Sequence, residues 1–132
     1  ISRYQEISDP AISQIACFLD DNSSRETAIT ALGNIGHNQE ISVPIVSRLA
    51  SFLEDENSRQ DVMLALDQIS YNQKLSEQII SQITSFLYIP NFRSIAANVL
   101  GWISSKQKLS EPIVSRIADF LNYEDSRNNA IS

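Results

Sequence analysis

ISVPIVSRLASFLEDENSRQDVMLALDQISYNQK, residues 41–74, is the stretch whose reading decides the fold. Its first half places apolar side chains at Ile45, Val46, Leu49, Ala50, Phe52 and Leu53. The spacing i, i+1, i+4, i+5, i+7, i+8 predicts a helix with one wide apolar stripe. The polar run Glu54 to Ser58 follows and reads as a short turn that ends this helix and starts another. Val62, Met63, Ala65, Leu66 and Ile69 then give a second stripe of smaller side chains. The stretch is a pair of helices, A and B, and no alternating strand pattern competes with it.

Working outward, the same pattern recurs. Residues 7–40, 41–74 and 75–108 align without gaps at a period of 34, a fourth segment starts at Leu109 and runs to residue 132, and residues 1–6 (ISRYQE) match the ends of the others, IGHNQE and ISYNQK. Some columns do not vary. Ser8, Ser42, Ser76 and Ser110 form one; Phe18, Phe52, Phe86 and Phe120, each followed by Leu, form another; Arg25, Arg59, Arg93 and Arg127 form a third. Such a period marks an array whose units are too small to bury an apolar face alone and stack on their neighbours. The expected fold is all-α, a right-handed α-solenoid of stacked antiparallel helix pairs, occupying residues 1–132 as one array. The chain reads as part of a longer array, and its two end faces are expected to associate head to tail between molecules.

Local signals agree with the helix pairs. Ser42 and Ser110 stand where an N-cap belongs, and Pro10, Pro44 and Pro112 fall in the first turn of helix A, where a missing N–H costs little. Turns are expected at Asp20–Ser24, Glu54–Ser58 and Asn122–Ser126, and a loop at His37–Glu40. Gly33, Gly36 and Gly101 lie inside helical patterns, which excludes a phosphate-binding loop and points to close helix approach.

Composition narrows the function classes. With 42% hydrophobic residues in a 132-residue chain, a buried core is within reach. Ten Lys and Arg stand against 16 Asp and Glu, a formal charge of −6, which disfavours a nucleic-acid partner. No apolar run approaches the roughly 20 residues of a membrane span, so no membrane partner is expected. One Cys and one His make neither a structural zinc site nor an internal disulfide, and a chain without bridges fits a reducing, cytoplasmic setting. Asp20, Asn22 and Ser24 alternate as calcium ligands do, but Arg25 stands where such a loop needs Gly. No metal, cofactor or catalytic constellation is expected.

Arg25 to Gly36 (RETAITALGNIG), and less fully Arg93 to Ile103 (RSIAANVLGWI), resemble the second helix of HEAT-like repeats of the short bacterial, phycobilisome-lyase type. The resemblance covers essentially the whole chain. Ser24, Ser58 and Ser126 stand where the family usually has Val, and Asp67 and Ser70 replace the two glycines in the middle segment. The Trp, Leu-Gly and Tyr signature of tetratricopeptide repeats is absent. What the resemblance implies is that B helices line the concave side, and that the recurrent Arg bonds acidic or carbonyl groups of adjoining turns, here Asp21, Asp55 or Asp125. It also implies an alternative function, a phycobilin lyase-like or chaperone-type protein handling a tetrapyrrole.

The face of helix B away from its stripe runs through Leu64, Gln68 and Tyr71, then Ile95, Asn98 and Trp102. Trp102 takes the column of Asn34 and Gln68, and Ile95 that of Thr27 and Asp61, so large apolar groups replace polar ones. Exposed apolar clusters commonly mark interaction surfaces. Tyr88 and Ile89, replacing the acidic turn of the other segments, are a second candidate patch. The expected function is a protein-interaction module or scaffold with a protein or peptide partner.

Overall fold

The computed structural model describes the backbone of residues 6–131 and the side chains of residues 6–122. Among the described residues there are seven α-helices: α1 (Asp9–Cys17), α2 (Arg25–Asn38), α3 (Val43–Ser51), α4 (Arg59–Ile69), α5 (Glu77–Ser85), α6 (Pro90–Ser104) and α7 (Glu111–Ile131). No strand occurs among the described residues. The all-α class read from the hydrophobic periodicity is the class observed. The chain divides into two compact units, Ile1–Leu75 and Ser76–Ser132.

In the N-terminal unit, α1 and α3 each run into one turn of 3-10 helix, Phe18–Asp20 and Phe52–Glu54, before the chain reverses. Their second residues are Pro10 and Pro44, so the proline ring sits where no intrahelical N–H is required. Ser8 and Ser42 occupy the N-cap positions but accept no backbone N–H there. Position is conserved along the chain, yet the capping bond expected of Ser42 is missing. The turns are fixed by aspartates instead. Asp21 accepts the Ser23 amide and Asp55 the Asn57 amide, each at 3.3 Å, an Asx turn repeated 34 residues on. The core is the two apolar stripes: Leu19, Leu32, Leu49, Leu53, Met63 and Leu66 are fully buried.

α2 and α4 lie against one another at short range, and two glycines make that possible. A Cβ on Gly33 would stand 3.0 Å from the Ala65 Cα, and one on Gly36 would overlap the Ile69 side chain and stand 3.2 Å from the Ile69 Cα. Asn72 closes the same interface, its amide donating to the carbonyls of Gly36 at 2.8 Å and His37 at 2.5 Å. α2 extends through His37 and Asn38, so the loop expected from residue 37 begins two residues later, an ordinary shift for a helix end.

In the C-terminal unit α5 has no proline in its first turn and its N-cap Ser76 does accept the Ile79 amide, at 3.3 Å; beyond that start, the unit repeats the plan with two departures. α5 ends in a 3-10 turn, Phe86–Tyr88, but Ile89 stands in the aspartate column and Pro90 starts α6 three residues ahead of its counterparts. Proline, with its preset φ and no N–H, replaces the Asx turn as the restart signal. The second departure corrects an expectation: α7 continues through Asn122–Ser126, where a turn was anticipated. Tyr123 holds the column of Asp21 and Asp55 and no proline follows it. Neither device that stops helix A elsewhere exists there, and the helix propagates. Gly101 also departs from expectation. Nothing lies within 4 Å of a Cβ built on it, so helix crowding does not explain that glycine.

The recurrent arginine has a structural task. The Nε–H of Arg25, Arg59 and Arg93 donates to the carbonyl of Leu19, Leu53 and Leu87 at 2.6, 2.7 and 2.9 Å, tying the start of each B helix to the end of its A helix. The carbonyl half of the expected role is thus observed three times. The acidic half is seen as Arg25 to Asp55, 3.4 Å, with the guanidinium 4.7 Å above the Phe52 ring. Asp21 instead holds its own turn, and Asp125 lies outside the described side chains. Losing this charge-assisted bond to a buried leucine's carbonyl in Arg59→Ala is expected to cost about 1–2 kcal/mol, several degrees of melting temperature by calorimetry. A variant melting with the wild type would refute the assignment.

Candidate partner-binding surfaces

In the N-terminal unit, α4 presents Leu64 and Gln68 on one face, and Tyr71 continues that face in the turn beyond the helix. Leu64 is 40% and Tyr71 55% exposed, and Gln68 is half-buried. The Gln68 amide donates to the Asn34 side-chain oxygen at 3.4 Å, and Tyr71 stacks at a tilt on His37, ring centres 4.5 Å apart. Thr30, Asn34, Asp61, Leu64, Asp67 and Gln68 line a shallow hollow of about 310 Å³. The structure therefore joins Leu64 and Gln68 in one hollow, and sets Tyr71 apart, paired with the single histidine.

In the C-terminal unit, Ile95, Asn98 and Trp102 share one face of α6 at spacings of three and four. Trp102 is 46% exposed, Asn98 is exposed and Ile95 half-buried. Asn98 is one turn behind Trp102, and the Ser105 hydroxyl ahead of it donates to the Trp102 carbonyl at 2.7 Å. Tyr88 and Ile89 lie in the turn before α6, both exposed. Tyr88 is not a free patch, because its ring meets Phe120 edge-on at 5.4 Å, and the Arg93 guanidinium lies 5.4 Å from that same ring. Phe92, half-buried, packs at a tilt against Phe86.

Charge elsewhere on the chain is locally organised. The Ser24 hydroxyl, with the Ser23 amide and hydroxyl, holds the Asp21 carboxyl below its ordinary range. Arg48 pairs with Asp20, which raises its pKa further. Arg116 is held by the Ser81 hydroxyl at 2.6 Å and the Ser81 carbonyl. Among the described residues no group of three or more His, Cys, Asp or Glu side chains is placed to hold a metal ion. No helix among them is long and apolar enough to cross a membrane.

One column escaped the sequence reading. Gln39 accepts the Ile7 amide at 2.7 Å and donates to the Ile7 carbonyl at 2.9 Å. Gln73 does the same to Ile41, at 2.7 and 2.9 Å. Each carboxamide clamps both polar groups of the residue that begins its own segment. The signal was present in the chain, since Gln5, Gln39, Gln73 and Gln107 form a further unvarying column. Compared with family models, with curated proteins and with solved structures, the chain matches none.

Proposed function

We propose that this chain is a protein-binding scaffold, a HEAT-like α-solenoid whose B helices display variable side chains to a protein or peptide partner, with the α6 face of Ile95, Asn98 and Trp102 as its principal contact. The repeating architecture is supported by A helices (α1, α3, α5, α7) that begin every 34 residues and by the Arg and Gln hydrogen bonds that return with them. The observation that carries the binding reading is Trp102, an indole left 46% exposed on a column where sister segments carry Asn34 and Gln68. A half-exposed Trp flanked by polar groups has the amphipathic character of an interface anchor, and its loss removes about 2 kcal/mol or more of binding.

The prediction is that Trp102→Ala lowers partner retention in affinity capture about 30-fold, while Gln78→Ala on α5 leaves it unchanged. Trp102 is also the one tryptophan, so partner docking should shift its fluorescence to shorter wavelength. Retention of the same proteins by both variants would remove the α6 face from consideration. Unfolding of Trp102→Ala, followed by circular dichroism, would make the residue a packing element and not an anchor.

A further inference from the structure

Helix α4 carries two carboxylates that its sister helices lack. Asp61 stands in the column of Thr27 and Ile95, and Asp67 in that of Gly33 and Gly101. Both line the hollow of about 310 Å³ between α2 and α4, where Leu64 and Ala65 supply apolar surface and Thr30, Asn34 and Gln68 supply neutral polar groups. None of the residues on this wall is Lys or Arg. Packing does not demand the carboxylate of Asp67, because glycine serves in its column elsewhere, and holding it at 7% exposure costs desolvation free energy. Asp61 also borders a neighbouring hollow of about 360 Å³, which it shares with Glu26 and Asp55. Arg25, the cation on that second wall, is already engaged, its Nε–H by the Leu19 carbonyl at 2.6 Å and its Nη1 by Asp55 at 3.4 Å.

We propose that the hollow between α2 and α4 receives an arginine side chain of a basic peptide partner, the guanidinium meeting Asp61 and Asp67 and the methylene stem lying along Leu64. A second cationic residue of the same peptide is accommodated on the other side of Asp61, beside Glu26. Charge complementarity selects this occupant: a recess with carboxylates on its wall and no cation of its own favours a positive group over a neutral or acidic one. Arginine suits it better than lysine. Its planar fork of five N–H donors can reach carboxylate, amide and hydroxyl oxygens together, whereas an ammonium is a compact and more strongly hydrated charge. The stem of a long cationic side chain also covers apolar surface, which gives the 40% exposed Leu64 a partner. The inference rests on the reading of the chain as a peptide-binding scaffold, but Trp102 takes no part in it.

Fluorescence anisotropy of fluorescein-labelled hexa-arginine, titrated with the full chain at low salt, tests this. Binding should saturate and weaken as salt is added. Asp61→Asn, a change of nearly equal volume at a half-buried position, should weaken it about tenfold. Asp61→Thr, which installs the side chain that Thr27 carries in the same column, should do likewise and replaces the first variant if circular dichroism shows that one unfolded. Glu40→Gln removes the same unit of charge from an exposed position off both walls and should leave binding unchanged, as should Trp102→Ala. Hexa-lysine should bind more weakly than hexa-arginine. No binding of hexa-arginine overturns the proposal. So do equal losses in Asp61→Asn and Glu40→Gln, the signature of general attraction to an acidic chain, and so does equal affinity for the two peptides. A loss in Trp102→Ala with none in Asp61→Asn overturns it too, while leaving the α6 face standing as the contact.

Discussion

Gln73→Ala is expected to lower stability by about 2–4 kcal/mol, far more than a half-buried glutamine ordinarily contributes. The side chain makes two hydrogen bonds of 2.7 and 2.9 Å to the N–H and C=O of Ile41, a residue 1% exposed. Truncation leaves a donor and an acceptor together in a place that water reaches poorly, and each unsatisfied group costs about 1–3 kcal/mol. Gln39→Ala removes the equivalent pair from Ile7, which is half-buried, so solvent replaces part of what is lost and the cost is smaller. Urea unfolding of the two variants gives the comparison directly. Equal losses would mean that burial of the clamped residue does not set the cost. A loss below about 1 kcal/mol for Gln73→Ala would mean that the backbone finds other partners.

Substitution of two glycines in one column is expected to act with opposite sign. At Gly33 a Cβ would stand 3.0 Å from the Cα and Cβ of Ala65 on α4, so Gly33→Leu forces two helices apart and costs about 3 kcal/mol. At Gly101 a Cβ meets nothing within 4 Å, and the residue lies within α6. Gly101→Leu or Gly101→Ala therefore gains the difference in helix propensity, about 1 kcal/mol, with no steric term against it. Thermal melts of the single variants distinguish the cases, with Gly33→Leu falling and Gly101→Ala rising. If both fall, a helix covers Gly101 in solution. If neither changes, the α2–α4 approach is looser than described.

The helices were legible in the sequence because burial imposes a 3.6-residue rhythm that a 34-residue period then repeats. Ile45 through Leu53 and Val62 through Ile69 reveal the pair before any coordinates are known. The exceptions have local causes. Tyr123 in place of an Asx aspartate lets α7 run on, and recognising this needed the knowledge that Asp21 and Asp55, not Ser42, organise the neighbouring turns and helix starts. The glutamine column was missed because a polar residue in a loop carries no periodicity, although its recurrence was as complete as that of arginine. Of the candidate surface, the face shared by Ile95, Asn98 and Trp102 followed from helical spacing alone. The engagement of Tyr88 with Phe120 did not, because it joins a turn to a helix 32 residues away.

The glutamine clamps join residues 32 apart, the opening of a segment to its close. Each is a buckle that shuts a loop within one segment, so the chain need not search over long distances to find it, and rapid folding from local closures is favoured. A buckled segment also resists peeling from either terminus. Amide exchange should then report protection falling in whole 34-residue blocks, with Ile41 among the last backbone groups to release its proton to solvent.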